Sequence, residues 1–168
     1  MEEFSEHFKS WLSGFIDGEG NFYLEARQDG KFFIAKFRIG IRADEIQIIK
    51  KIKKYWGGSI HYYNPSIQVK NANMAIMYQL CGIKKLFNLI RHLDNYPLLA
   101  KKQGDYKIWR EAIILLAQKE HLNGRYGYIL HLCNRLKKIR EYREQLEIDL
   151  LPPEIEDKQL YFDTKEGR

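Results

Sequence analysis

Two acidic side chains, Asp17 and Glu19, lie at the end of a segment whose apolar residues recur at helical spacing. The segment reads Trp11-Leu12-Ser13-Gly14-Phe15-Ile16-Asp17-Gly18-Glu19-Gly20. The C-terminal end of a helix carries partial negative charge, so carboxylates there are unfavourable unless a cation lies nearby. A divalent metal ion would supply that cation. The pattern is therefore compatible with a bound cation at the end of this helix, and the alternative is an ordinary solvated carboxylate in a turn.

The same segment has small residues on one side. Gly14 and Gly18 are four residues apart and Ser13 is small, so one face of the helix carries almost no side chain. Another backbone could approach such a face closely, which would suit a helix–helix interface. The alternative is that these glycines pack against the domain's own sheet. Spacing alone favours neither interpretation.

Length and composition limit the class of protein. The chain has 168 residues, 45% of them apolar, which fits one compact domain with its own core. The net charge is +6, and residues 27–146 carry 24 basic and 9 acidic side chains, whereas both ends of the chain are acidic. This distribution favours a polyanionic partner. Aromatic residues make up 14%, which excludes disorder throughout the chain.

Membrane insertion and disulfide formation are both poorly supported. The run Ala112–Ala117 is far shorter than the roughly 18 to 20 apolar residues of a membrane span. Cys81 and Cys133 lie in different segments without a metal-binding spacing, which favours a reducing compartment. The first residues are acidic, unlike those of an import signal. We expect an intracellular protein.

Periodicity predicts an α+β domain over residues 1–150, followed by an acidic tail at 151–168. The strands are expected to form a four-stranded antiparallel sheet with helices on its apolar face. Spacings of three and four residues predict helices over 4–17, 43–56, 73–80, 83–93, 104–120 and 126–150. Alternation predicts strands over 21–27, 35–42, 59–63 and 66–70.

The segment Trp11–Gly20 resembles the signature of the LAGLIDADG homing endonucleases. Residues 8–120 fit the order of elements in that family, and a later Tyr96-Pro97-Leu98-Leu99 segment with Lys102 also fits. The resemblance implies the family's αββαββα core with a saddle-shaped sheet. It also implies site-specific double-strand DNA cleavage in intron homing, by metal-dependent phosphodiester hydrolysis.

One motif in the chain implies, by the same resemblance, a homodimer with two motif helices side by side on the twofold axis. The residues expected at that interface are Trp11, Ser13, Gly14, Asp17 and Gly18. Asp17 is also expected to form a structural hydrogen bond near the turn.

The resemblance also implies a set of catalytic and metal-binding residues. The Glu19 carboxylate and the Gly18 carbonyl correspond to the metal ligands; Mg²⁺ is expected, and Mn²⁺ or Ca²⁺ can occupy the same position. Lys102 corresponds best to the family's lysine, with Lys101 as the choice if the match shifts by one residue. Ile41 stands where many relatives have a polar residue that organises solvent, and Arg42 is the nearest replacement.

Polar side chains on one face of the predicted sheet suit the base edges of the major groove. Two copies of the chain would cover a long, roughly palindromic site. The expected DNA-binding residues are Tyr23, Glu25, Arg27, Lys36, Arg38, His61, Tyr63, Ser66, Gln68 and Lys70.

Two other interpretations remain open from the sequence. The chain could be an intron RNA-splicing maturase or a catalytically inactive nucleic-acid-binding protein of the same fold, which the apolar Ile41 favours. A purely structural oligomer would leave the basic strand faces unexplained. Genes of this family are often carried by mitochondrial, chloroplast or archaeal introns, and a protein made inside an organelle needs no import signal.

Overall fold

A computed structural model of the chain describes residues 4–27, 32–64 and 74–142. The elements follow the order expected from the sequence, with two strands after each of the first two helices. In chain order they are α1 (Glu6–Glu19), β1 (Gly20–Ala26), β2 (Phe33–Arg42), a 3₁₀ turn (Ala43–Glu45), α2 (Ile46–Trp56), β3 (Ser59–Tyr63), β4 (Ala75–Cys81), α3 (Ile83–Asn95), α4 (Lys102–Ala117) and α5 (Tyr126–Tyr142).

The four strands form one antiparallel sheet in the order β1-β2-β4-β3. One face of the sheet is apolar, and the helices bury it in a continuous core. Phe22, Phe37, Ile39 and Tyr78 on this face are fully buried. The indole N–H of Trp109 in α4 donates to the carbonyl of Tyr23 at 3.1 Å, which ties that helix to β1. The predicted α+β class and the four-stranded antiparallel sheet are confirmed.

The fourth strand lies at a different place from the one that the sequence predicts. Residues 75–81 form β4, so the helix predicted over 73–80 is wrong. Ile76, Tyr78 and Leu80 are buried in the core, and this spacing of two is the signature of a strand with one buried face. The strand predicted over 66–70 lies outside the described residues.

The remaining boundaries differ by a few residues from the expected ones. α1 ends at Glu19 rather than at residue 17, and α4 covers 102–117 rather than 104–120. The part of α5 predicted beyond residue 142, and the tail at 151–168, lie outside the described residues. Within 4–27, 32–64 and 74–142, no helix combines the length and the apolarity that crossing a bilayer requires.

Helix α1 begins and ends at residues that suit those positions. Ser5 precedes the first turn, and its hydroxyl oxygen accepts from the Phe8 N–H at 3.2 Å, as expected of a helix N-cap. Phe8, Leu12 and Ile16 direct one side of the helix into the core. At the other end, Gly20 closes the helix with its N–H donating to the Ile16 carbonyl and starts β1 without an intervening loop.

Gly20 is required by close packing at this junction. A Cβ added there would lie 2.7 Å from the Ile16 carbonyl oxygen and 2.8 Å from Ile16 Cγ2. We predict that Gly20→Ala lowers the free energy of unfolding by about 2 kcal/mol, because the backbone must shift to relieve the contact. Urea unfolding followed by circular dichroism measures this. Gly127→Ala is the control, because a Cβ at Gly127 meets nothing within 4 Å among the described residues; equal stability of the two variants would contradict the prediction.

Candidate functional site

The outward face of α1 is open along its length. Gly14 and Gly18 are exposed, and a Cβ built at either position meets nothing within 4 Å in the described part of the chain. Trp11 lies on the same side with 37% of its surface exposed, and its ring stacks on that of Phe15 at 5.0 Å. The interpretation that these glycines pack against the domain's own sheet is therefore wrong. The face is free to receive another surface.

Ser13 points into the interior of the domain instead. It is 4% exposed, and its hydroxyl donates to the Tyr96 carbonyl at 2.6 Å. Since that proton is used, the Ser13 oxygen accepts from Nε2 of His92 at 3.2 Å. The other ring nitrogen, Nδ1, then accepts from the Tyr55 hydroxyl at 3.3 Å. The side chain of Ser13 is thus not available for the interface that the sequence predicts for it, and it fixes α1 to α2 and α3.

His92 is held neutral in this network. Burial, reinforced by the positive charge of Lys9, lowers the pKa of its imidazole to about 4. His92 is 4% exposed and meets the rings of Tyr55, Trp56 and Tyr96. Sequence reasoning left this histidine without a role, because its partners lie far away along the chain.

The lowered pKa of His92 predicts a stability change with pH. Between pH 6.5 and 4 the unfolded chain binds a proton that the folded chain does not, so stability is complete above pH 6.5 and falls as pH approaches 4. Because of His92, we expect the free energy of unfolding to fall by about 3 kcal/mol between pH 7 and pH 4. Urea unfolding at both pH values measures it, with His92→Gln as the variant that hydrogen bonds but does not titrate. Equal pH dependence in both proteins would contradict the prediction.

Asp17 joins the end of α1 to the segment before α4. Its Oδ2 accepts from the backbone N–H groups of Leu99, at 2.7 Å, and Ala100, at 3.0 Å. Its other oxygen, Oδ1, is buried and has no hydrogen-bond partner among the described residues. The geometry agrees with the structural hydrogen bond expected of Asp17.

Lys102, at the start of α4, makes a second contact with the end of α1. Its Nζ donates to the Gly18 carbonyl at 2.8 Å, which places an ammonium group against the end of α1. Lys101, the alternative, is exposed at the start of α4. The next residue of α1, Glu19, is exposed and has no hydrogen bond or ion pair within the described ranges. The structure therefore brings Asp17, Gly18, Glu19 and Lys102 to one place.

Arg42 lies at the end of β2, where its exposed guanidinium pairs with the Asp44 carboxylate. Alternation along β2 directs Arg42 to the polar side of the sheet and the half-buried Ile41 to the apolar side. The apolar character of Ile41 is explained by this packing. The ion pair uses one terminal amino group of the guanidinium.

The polar face of the sheet carries seven of the ten residues that the sequence predicts for DNA binding. Tyr23, Glu25 and Arg27 belong to β1 and its end, Lys36 and Arg38 to β2, and His61 and Tyr63 to β3. The other three, Ser66, Gln68 and Lys70, lie outside the described residues.

Strand β4 contributes side chains to this face that the sequence analysis missed. Gln79 lies opposite both Arg38 of β2 and Ser59 of β3, and Met77 and Cys81 flank it on the same side. The available signal was the alternation of Ile76, Tyr78 and Leu80, which marks β4 as a strand. Because β4 is an inner strand, Gln79 lies near the middle of the polar face.

This sheet, with helices on one side and a basic polar face on the other, is the fold of the LAGLIDADG meganucleases. The sequence model of the LAGLIDADG endonuclease family matches residues 12–113, and the chain belongs to that family.

Similar proteins of two kinds support this assignment. "Probable intron-encoded endonuclease 3" of Neurospora crassa is 32% identical over 118 residues, which cover 67% of this chain and 21% of that protein. The chain thus spans about a fifth of the length of this relative. The meganuclease I-AabMI bound to uncleaved DNA is 29% identical with a TM-score of 0.63, covering 74% of this chain and 42% of that one. The homing endonuclease I-TnaI is 26% identical with a TM-score of 0.64, covering 79% and 95%.

Proposed function

We propose that this chain is a site-specific double-strand DNA endonuclease of the intron-homing type, which acts as a homodimer. The observation that carries the proposal is the end of α1, where the exposed Glu19 carboxylate follows a Gly18 carbonyl that Lys102 contacts at 2.8 Å. A carboxylate, a carbonyl and an ammonium group at one exposed point suit the hydrolysis of a phosphodiester.

The donors at this point fit a divalent cation. Glu19 and the Gly18 carbonyl are hard oxygen ligands of the kind that Mg²⁺ prefers. Within the described ranges, no group of three or more His, Cys, Asp or Glu side chains could hold a metal. A site shared between two subunits would add the partner's carboxylate. The bound ion would supply an activated water and stabilise the leaving oxygen.

The protein side chains have separate tasks in this proposal. Glu19 holds the charge that recruits the cation. Lys102 presents its ammonium group to the phosphate and stabilises the negative charge that develops there. Asp17 holds the Leu99 and Ala100 amides, which fixes the start of α4 and therefore Lys102.

Pairing through α1 would create the second half of the site. The open face at Trp11, Gly14 and Gly18 is the surface proposed for this contact, because it has no side chain that would keep a second helix away. A twofold axis between two α1 helices would place the polar sheet faces of both copies on one DNA duplex. This arrangement predicts a long, roughly palindromic target.

The polar sheet face is the surface proposed for DNA. Its basic and amide side chains carry the donors that base edges and phosphates accept. The similar meganuclease I-AabMI was solved in complex with DNA, which supports DNA as the partner of this chain. The name of the Neurospora relative supports a gene carried by an intron, and the family resemblance extends this to an organellar genome.

A binding protein without nuclease activity, such as an intron RNA maturase, is the second candidate. The observation that favours it is Ile41, which packs against the apolar core and offers no polar group that could organise solvent around a phosphate. Arg42, the nearest replacement, is exposed and pairs with Asp44.

Cleavage of a randomised duplex DNA library by the purified chain in Mg²⁺ tests the proposal. Sequencing of the cut ends is expected to show one site with two related half-sites. In Ca²⁺ the same duplexes are expected to be bound. Tight binding of DNA or of intron RNA without any cutting in Mg²⁺ or Mn²⁺ would overturn the nuclease assignment and favour the second candidate.

A further inference from the structure

A connected row of side chains crosses the polar face from β1 to β4. The Tyr23 hydroxyl donates to the Glu25 carboxylate, and the guanidinium carbon of Arg38 lies 4.4 Å from the centre of the Tyr23 ring. Arg38 Nε donates to Oε1 of Gln79 at 3.3 Å, and the Gln79 amide donates to the sulfur of Cys81 at 3.3 Å. The row holds Arg38 from two sides.

These contacts use some polar atoms and leave others. The Gln79 amide is contacted at both ends, since its oxygen accepts from Arg38 and one of its two N–H groups donates to the Cys81 sulfur, and these two contacts fix the orientation of the amide. Arg38 uses only Nε, and its two terminal amino groups have no hydrogen bond or ion pair in the part of the chain that the structure describes. These two amino groups are the hydrogen-bond donors that the row of side chains offers to a ligand on the polar face.

Extending the proposed function, on which this inference depends, we infer that Arg38 reads a guanine in each half of the DNA target. The two terminal amino groups of an arginine match the O6 and N7 acceptors that guanine shows in the major groove. Tyr23 and Gln79 act in this inference as positioning residues, because the Tyr23 ring and the Gln79 amide contact the guanidinium from two sides.

The surroundings of Arg38 suit such a contact. An arginine loses much side-chain freedom on binding, and a side chain already held by an aromatic ring and an amide loses less. Gly40, two residues further along β2, has no side chain on this face, and among the described residues the nearest atom to a Cβ built there is the Tyr63 hydroxyl at 3.6 Å. The described part of the chain therefore leaves room beside Arg38 for the edge of a base pair.

Selection of bound duplexes from a randomised library, repeated with each variant, tests the inference. The wild-type chain is expected to select a site with a fixed guanine at one position of each half. Arg38→Ala is expected to lose that guanine, by roughly ten- to a hundred-fold in relative affinity against the other bases, and to keep the remaining positions. Gln79→Ala is expected to weaken the preference at that same position without moving it.

Matched variants separate base reading from other roles. Tyr23→Phe keeps the ring beside Arg38 and should keep the guanine at that position. Lys36→Ala removes another residue of the proposed DNA surface, so it should lower the affinity or change a different position while the same guanine is kept. Uniform weakening by Arg38→Ala at all positions, with a shallower salt dependence, would show a phosphate contact and overturn the inference. If the wild-type chain selects no site at all, the proposed function fails and the inference with it; a selected site without that guanine overturns the inference alone.

Discussion

Replacing Glu19 with glutamine is expected to abolish DNA cleavage while the protein stays folded. The amide keeps the shape of the side chain but removes the charge that would recruit a divalent cation, so we expect the rate to fall roughly a thousand-fold or more. Stability should be unchanged or slightly higher, because a carboxylate at the C-terminal end of α1 opposes the helix dipole. Single-turnover cleavage in Mg²⁺ and thermal unfolding of the same preparation measure the two effects.

The Glu19→Gln variant should still bind the target. Removal of a negative charge near the phosphates does not weaken the electrostatic attraction, so the affinity in Ca²⁺ should stay within a few-fold of the wild type. Glu45→Gln is the matched control, since Glu45 is another exposed carboxylate, located before α2. Equal cleavage by wild type and Glu19→Gln would remove Glu19 from the proposed metal site.

Replacing Gly14 with leucine is expected to split the dimer and stabilise the single subunit. Gly14 lies inside α1, where leucine forms helix better than glycine by roughly 1 kcal/mol. A Cβ at this position meets nothing within 4 Å among the described residues, so the subunit tolerates the change. A second helix against this face would meet the added side chain. Analytical ultracentrifugation and urea unfolding measure the two outcomes.

The chain provides a matched control for this substitution. Gly127 is an exposed glycine within α5, and a Cβ there also meets nothing within 4 Å in the described ranges. Gly127→Leu should therefore leave the dimer intact. A wild-type chain that sediments as a monomer at all concentrations, or a Gly14→Leu variant that remains a dimer, would contradict pairing through α1.

Strong local periodicity made most of the fold predictable. α1 and α2 have clear apolar stripes, and β1 and β2 alternate around the short connection at residues 27–32. β4 was misassigned because Met74, Ala75 and Met77 are residues that also suit helices. Its strand conformation is stabilised by pairing with β3, the described element before it, and with β2, from which α2 and β3 separate it in the chain.

The candidate site was also only partly predictable from the sequence. The order of Gly18, Glu19 and a later lysine is visible in the sequence, so the residues at the end of α1 could be named in advance. The contacts that orient them could not, because Asp17 and Lys102 reach partners more than 80 residues away. The inward orientation of Ser13 could not be predicted for the same reason, because its partners His92 and Tyr96 lie in α3 and directly after it, far along the chain.

The hydrogen bonds of Asp17 and Lys102 join the end of α1 to the start of α4, and they also determine when the candidate site can form during synthesis. The acidic end of α1 leaves the ribosome before residues 99–102, which carry the two amides bound by Asp17 and the ammonium group bound by the Gly18 carbonyl. Contacts so distant in sequence form late, after the intervening chain has been ordered. A nascent chain that ends before residue 102 cannot complete the proposed nuclease centre, so under the proposed function DNA cleavage would begin only after most of the domain has been made.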